Sequence, residues 1–271
     1  MRHLTVVLGS NNIGSAVACA LRSVDAPVVV IDEVDPSWPY RGMSLTDAWF
    51  TGTASLGGHD ACFCASARSV PIVLARGMIA ATTWSWRGLS DLLAADALVD
   101  TRPASARIRV RDAFPLDGNP CTADTGLLDS VDVVTGLGSR WPRRRIVFSD
   151  ELIHAVVSTV GRIAAAASGR FLTTYHIGAA IAREHEIARV GPDAVVAPAA
   201  GVICGLPARS ARVSSGGIVL DVVTARASES CFGIRPGAAA LARKVLQLLL
   251  QRRTDPATWV TADAASASVE A

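Results

Sequence analysis

Short apolar runs broken by glycine or polar residues set the pattern of the first half of the chain. "HLTVVLG" is apolar up to its glycine, "IGSAVACALRSV" continues with helical spacing, and "APVVVIDE" is a second apolar run closed by acids. That order predicts strand, turn, helix and strand, the opening of a doubly wound α/β domain. Further β-branched runs, "DACFCAS", "VPIVLAR", "ALVDTR" and "DVVTGLG", are expected as strands, and repeated buried strands with crossovers predict a mainly parallel sheet.

The pattern changes after Phe148. "DELIHAVVSTVGRIAAAA" is expected as a helix leaving the first domain. From Tyr175 to Val223, short runs such as "AVVAPAAGVICGL" and "ARVSSGGIVLDVV" predict paired hairpins in a small β unit. "RPGAAALARKVLQLLLQRR" predicts an amphipathic helix, with Pro236 and Gly237 at its start and arginines at its end. The expected organisation is a Rossmann-like domain over 1–148, a β-rich unit with the C-terminal helix over 149–253, and a loose tail over 254–271.

Composition narrows the chemistry. The formal net charge of +2 gives no electrostatic case for nucleic acid. No apolar run is long enough for a membrane helix, and "MRHLTVVLGSNN" lacks the form of a signal peptide, so a cytoplasmic protein is expected. The six cysteines are scattered, so disulfides are not expected there. Cys62 and Cys64 would share one face of a strand as packing groups, and no second pair completes a zinc site. Lys244 is the only lysine, in the late helix, which leaves a P-loop or a Schiff base no other residue to use. "RWPRRR", Arg140–Arg145, is a local basic cluster, either a solvated loop or a phosphate contact.

"VVLGSNNIGSAVACAL" has the form of a dinucleotide turn with one glycine replaced. Gly9 stands where the tight turn is made and Gly14 where helix and strand pack closely. Asn11 stands where the backbone would approach a pyrophosphate. Asparagine tolerates a left-handed backbone, which would preserve the turn. Asp32 ends the second strand, where an acid would bind a ribose. Asp100 and Arg102, together with Gly136 and Gly138, fall at strand ends on the same expected edge of the sheet. Arg102 could grip a phosphate or carboxylate, or simply pair with Asp100. Arg41, His59, His154, His176, His185 and the loop thiol of Cys121 are weaker candidates, without a neighbouring group to activate them.

The ordered blocks "VVVIDEVDPSWPYRGMSLTDAWFTGTASLGG", "VPIVLA", "ALVDTR", "DVVTGLGSRW", "VVAPAAGVICGL", "GGIVLDV" and "CFGI" resemble the accessory proteins of selenium-dependent molybdenum hydroxylases, relatives of the xanthine dehydrogenase maturation factors. Asp32, Pro36, Arg41, Ser44, Ala48, Gly52 and Gly58 fit that pattern in the first block. The resemblance implies a Rossmann-like domain followed by a barrel-sandwich unit of the lipoyl type. It also implies a molybdenum hydroxylase as partner, and a nucleotide or molybdopterin dinucleotide in the crevice. The hairpin unit contains no lysine for lipoate or biotin. The chain departs from the pattern at Asn11, at Tyr40 (often arginine in the family), at Val223–Ala225 and at Arg235–Gly237. Two other readings follow from the same residues: an NAD(P)-dependent enzyme using Gly9, Gly14 and Asp32, and a diverged small-molecule-binding protein recruited to another, biosynthetic, pathway. Sandwich hairpins and an arginine-rich helix are surfaces where a second subunit often docks, so a homo-oligomer is a further expectation.

Overall fold

The structure, a computed structural model, describes residues 4–83, 95–102, 128–135, 143–149 and 159–254. The first unit contains β1 (Leu4–Leu8), α1 (Asn12–Arg22), β2 (Val28–Ile31), α2 (Ala48–Thr51), β3 (Thr53–Leu56), β4 (His59–Phe63), α3 (Ser69–Ala75), β5 (Ile79–Thr82), β6 (Ala95–Asp100), β7 (Leu128–Thr135) and β8 (Arg143–Ser149). Its strands form one eight-stranded sheet in the order β3-β4-β5-β2-β1-β6-β7-β8. The five central strands are parallel, while β3, β7 and β8 are joined through antiparallel pairings. The fold is therefore α/β with a mainly parallel sheet.

Both faces of the central strands are covered, which is why they read as unbroken apolar runs. Val7, Val28, Val30, Ala81 and Val99 pack on one face with Val17 and Leu21 of α1. Val6, Leu8, Val29, Ile31, Ala80 and Leu98 pack on the other face with Val70 and Val73 of α3. Alternate residues of each strand thus serve opposite layers. The segment "VPIVLAR", expected as a strand, is the helix α3. A short apolar run cannot be assigned by periodicity alone, and here Val70 and Val73, three residues apart, supply the buried face of a crossover helix. The strand that follows is β5, whose alanines carry little β signal. Cys62 and Cys64 do lie in one packing cluster, on the same face of the sheet.

The second unit contains β9 (Thr159–Ala164), β10 (Gly169–Thr173), β11 (Ala180–Ile181), β12 (Glu186–Val190), β13 (Asp193–Val196), β14 (Gly201–Gly205), β15 (Arg212–Val213) and β16 (Ile218–Val223). They form two antiparallel four-stranded sheets, β13-β12-β10-β15 and β11-β14-β16-β9. The sheets close on one core, in which Phe171, Ile187, Val190 and Val213 of the first meet Ile203, Leu220 and Val222 of the second. The helix expected across "VVSTVGRIAAAA" is replaced, within the described residues, by β9, which pairs with β16. Its residues alternate between exposed and half-buried, as an edge strand's do.

The C-terminal helix α4 (Pro236–Thr254) forms as expected. Grouped with the β-rich unit in the sequence reading, it packs instead on the parallel sheet's domain. Ala238, Leu241, Ala242 and Val245 join Val17 and Leu21 of α1 in one core. No helix among the described residues is long and apolar enough to cross a membrane.

Candidate functional site

The chain leaves β1 for β2 on one side and returns to β6 on the other. The gap at the carboxyl ends of β1 and β6 is therefore the topological switch point, where open α/β sheets bind ligands. Gly9, Asn11, Gly14, Asp32, Asp100 and Arg102 are brought together around it. Gly136 and Gly138 lie outside the described residues, as do His154 and Cys121.

Gly9 takes the left-handed backbone (φ +98°) and its N–H donates to Ile31 O at 2.9 Å. A Cβ on Gly14 would stand 2.0 Å from Gly9 O and 2.6 Å from Thr101 Oγ1, so only glycine fits there. These two glycines do what a dinucleotide turn asks of them. Asn11 does something else. Its backbone (φ −60°, ψ 176°) is not left-handed, which corrects the expectation above. It is the N-cap of α1, and its Oδ1 accepts from the N–H of Ile13 at 3.0 Å and of Gly14 at 2.9 Å. Those are the helix-start donors a phosphate would use. Its Nδ2 donates to Thr101 O at 2.9 Å, which ties the turn to the end of β6.

The acid at the end of β2 is similarly engaged. Asp32 Oδ2 accepts from Ser10 N at 2.5 Å and from Trp38 Nε1 at 2.6 Å, and Oδ1 accepts from Glu33 N at 2.8 Å. Above the turn, Thr46 Oγ1 donates to Ser10 O at 2.8 Å, Ser15 Oγ donates to the same oxygen at 2.9 Å, and Leu45 N donates to Ser15 Oγ at 2.8 Å. Ser10, Ser15, Leu45 and Thr46 are fully buried. Asp100 and Arg102 grip each other: Arg102 Nε reaches Oδ1 at 2.9 Å and Nη2 reaches Oδ2 at 2.9 Å, while the Arg102 N–H donates to Oδ1 at 3.1 Å. The arginine stem crosses Gly9, with Cγ 3.1 Å from where a Cβ would stand. At this edge the Ile13 and Gly14 N–H groups are taken by the Asn11 side chain, and Asp32 accepts from Ser10, Glu33 and Trp38 of the protein itself.

Replacing Asn11 with alanine should lower the unfolding free energy by about 1–2 kcal/mol, the cost of a helix cap together with one buried hydrogen bond. The shift of the urea midpoint at constant m-value measures it. Arg41 pairs with Asp47 at 2.5 Å, so it serves the loop, and His176 and His185 are exposed. His59 Nε2 lies 3.1 Å from Ser23 Oγ. Among the described residues no group of three or more His, Cys, Asp or Glu is disposed to hold a metal.

A second polar cluster lies where the loop after β2 meets the β sandwich. Leu206 N donates to Pro39 O at 2.7 Å and Gly233 N to Gly42 O at 2.9 Å, so this loop joins the two units through backbone bonds. Within the junction, Tyr40 OH donates to Asp221 Oδ2 at 2.7 Å and Arg162 Nη2 donates to the same oxygen at 3.0 Å. The Arg235 guanidinium lies 5.3 Å from the Tyr40 ring centroid and its Nη2 is 3.6 Å from Cys204 Sγ. Burial first, and then Asp221, push the Tyr40 phenol well above its ordinary range. Burial also raises the thiols of Cys204 and Cys231, so both are neutral near pH 7. Tyr40 and Arg235 meet here. Sequence reasoning missed the cluster because Tyr40 and Asp221 are 181 positions apart. A lone acid inside the apolar run "GGIVLDVV" was the available signal, since a buried polar group is more informative than an exposed apolar one.

No family model matches the chain, and no curated protein does. Among solved structures, the product-bound ectoine utilization protein EutE (DoeB) from Ruegeria pomeroyi matches at 16% identity over 82% of this chain and 52% of that one, with a TM-score of 0.21. The chain spans about half the length of that protein. A likeness at this TM-score carries no inference about activity.

Proposed function

We propose that the chain is a diverged accessory protein of the molybdenum hydroxylase type, acting on a partner protein as a scaffold and not through a dinucleotide in its crevice. The observation that supports this reading is the self-capped turn: the Asn11 amide occupies the Ile13 and Gly14 N–H groups on which a pyrophosphate would rest. The accessory role itself rests on the ordered resemblance, whose first block, Val28 to Gly58, includes the loop that joins the two units.

A nicotinamide-dependent enzyme is the second reading. The left-handed Gly9, the tightly packed Gly14 and the placement of Asp32 at the end of β2 favour it. It requires Asn11 to leave the helix start; Asp32 Oδ1, which accepts from Glu33 N, keeps a lone pair that a ribose hydroxyl could use. A molybdopterin dinucleotide would meet the same obstacle at Asn11.

The test is affinity capture of the tagged full chain from its native host. Elemental analysis for molybdenum would be run on the eluate and native mass spectrometry on the chain. The proposal expects a molybdenum-containing hydroxylase in the eluate and a chain at its polypeptide mass. Eluates without any molybdenum enzyme count against the accessory role, and a chain that carries a dinucleotide counts against the closed crevice.

A further inference from the structure

The outer face of the sheet β13-β12-β10-β15 concentrates arginine with few acids to answer it. Phe171 and Val213 point into the sandwich core, so their neighbours Arg170 on β10 and Arg212 on β15 point outward, directly opposite each other in the register. Cross-strand neighbours stand with Cβ atoms about 5 Å apart, and like charges there repel. Leu172 follows two residues along β10 on the same face, and Arg189 of β12 lies opposite it. Arg209, also exposed, belongs to the turn entering β15, where the next residue, Ser210, donates its N–H to Phe171 O. Two carboxylates reach these four guanidiniums: Glu186, 3.5 Å from Arg189, and Asp35, 4.0 Å from Arg212. Both pairs are open to solvent, where an ion pair is worth little. Arg170 and Arg209 enter no ion pair among the described residues. The face therefore stays positive, and within it Leu172 is 44% exposed and Val196 of β13 41%.

We propose that this face is a docking surface for an acidic segment of a partner protein, with side-chain carboxylates on Arg170 and Arg212 and an apolar side chain on Leu172. The assignment stands on the charge of the face and does not depend on the function proposed above. Guanidinium and carboxylate match in geometry as well as in charge. A carboxylate set between Arg170 and Arg212 replaces one repulsion with two attractions. The exposed leucine selects among anions: a phosphate chain answers the arginines and leaves Leu172 uncovered, whereas a segment that mixes acidic and apolar residues answers both. The formal net charge of the whole chain is only +2, so recognition rests on this local complementarity and not on a long-range field.

The probes are short labelled peptides alternating Glu with Leu, Gln with Leu and Glu with Ser, and an oligothymidylate, each titrated into the full chain at low salt. Binding is read from fluorescence anisotropy and located from the backbone amide resonances. The Glu-Leu peptide should bind saturably, shift the amides of Arg170, Leu172 and Arg212, and bind at least about tenfold more tightly than the Gln-Leu peptide, the worth of one charge-assisted hydrogen bond. Arg170→Ala with Arg212→Ala should weaken it by about the same factor. Arg226→Ala with Arg243→Ala removes equal charge from exposed arginines outside the face, after β16 and in α4, and should leave binding unchanged. Leu172→Ser should weaken the Glu-Leu peptide about threefold and leave the Glu-Ser peptide unaffected. If the Arg170/Arg212 variant fails to fold, the amide shifts and the comparison of probes on the unaltered chain decide by themselves. No saturable binding of the Glu-Leu peptide, equal binding of the Glu-Leu and Gln-Leu peptides, equal losses in the two double variants, or tighter binding of oligothymidylate would overturn the proposal and leave a solvated basic face.

Discussion

Replacing Asp221 with alanine lowers the unfolding free energy by about 2–4 kcal/mol, although the residue touches no part of the crevice. The carboxylate accepts from the Tyr40 hydroxyl and pairs with Arg162. Breaking a fully buried ion pair costs about 3–5 kcal/mol, and the lower figure here reflects the partial exposure of Arg162. Asp221→Asn keeps the shape and an acceptor, so it should lose less than the alanine variant. Urea unfolding of the two variants beside the parent measures this. A loss below about 0.5 kcal/mol for alanine, as for an ordinary surface substitution, would mean that the junction contributes nothing to joining the two units.

Gly14→Ala carries an expected sign opposite to that of helix propensity. Alanine in place of glycine inside a helix ordinarily stabilises by about 1 kcal/mol. At Gly14 the added methyl would stand 2.0 Å from the Gly9 carbonyl oxygen, a backbone atom in a turn fixed by its own hydrogen bond to Ile31. Either α1 lifts from β1 or the turn opens, and both disturb the core shared with α4. Overpacking of this kind costs about 1–3 kcal/mol; a backbone clash this close takes the upper end, and after the propensity gain of about 1 kcal/mol a net loss of about 2 kcal/mol is expected. Thermal and urea unfolding of Gly14→Ala would show it. A stabilised variant would mean that helix and strand are not in contact at the turn.

The parallel sheet and the first βαβ unit were legible because buried strands have a strong compositional signal and two glycines mark the turn between them. Glycines 9 and 14 could be assigned their roles from spacing, and the structure gives each of them that role. Two segments misled. "VPIVLAR" contains too few residues for period 2 and period 3.6 to differ clearly, and packing settles it as α3; within the longer "DELIHAVVSTVGRIAAAA", Thr159–Ala164 is drawn into a strand by pairing with β16. What Asn11 does was not legible either. An asparagine in a glycine turn can hold a left-handed backbone or cap the following helix, and the choice depends on whether Thr101, ninety positions away, offers its carbonyl. Asp100 and Arg102 were rightly placed at one strand end, but spacing cannot tell a pair that grips a ligand from a pair that grips itself. The junction cluster was invisible for a different reason. Its members come from the loop after β2, from β9, β14 and β16, and from the approach to α4, so no local pattern contains it.

The central claim is that protein groups fill the dinucleotide positions at the end of β1. A ligand taking their place would forfeit the Asn11 cap and its bond to Thr101, together about 2 kcal/mol or roughly thirtyfold in affinity. The most direct measurement is a titration of the full chain with NADH and NADPH, followed by nicotinamide fluorescence and by the thermal midpoint. The closed crevice predicts no half-saturation with either nucleotide below some tens of micromolar, about thirtyfold weaker than a micromolar site; half-saturation at or below about 1 µM would contradict it.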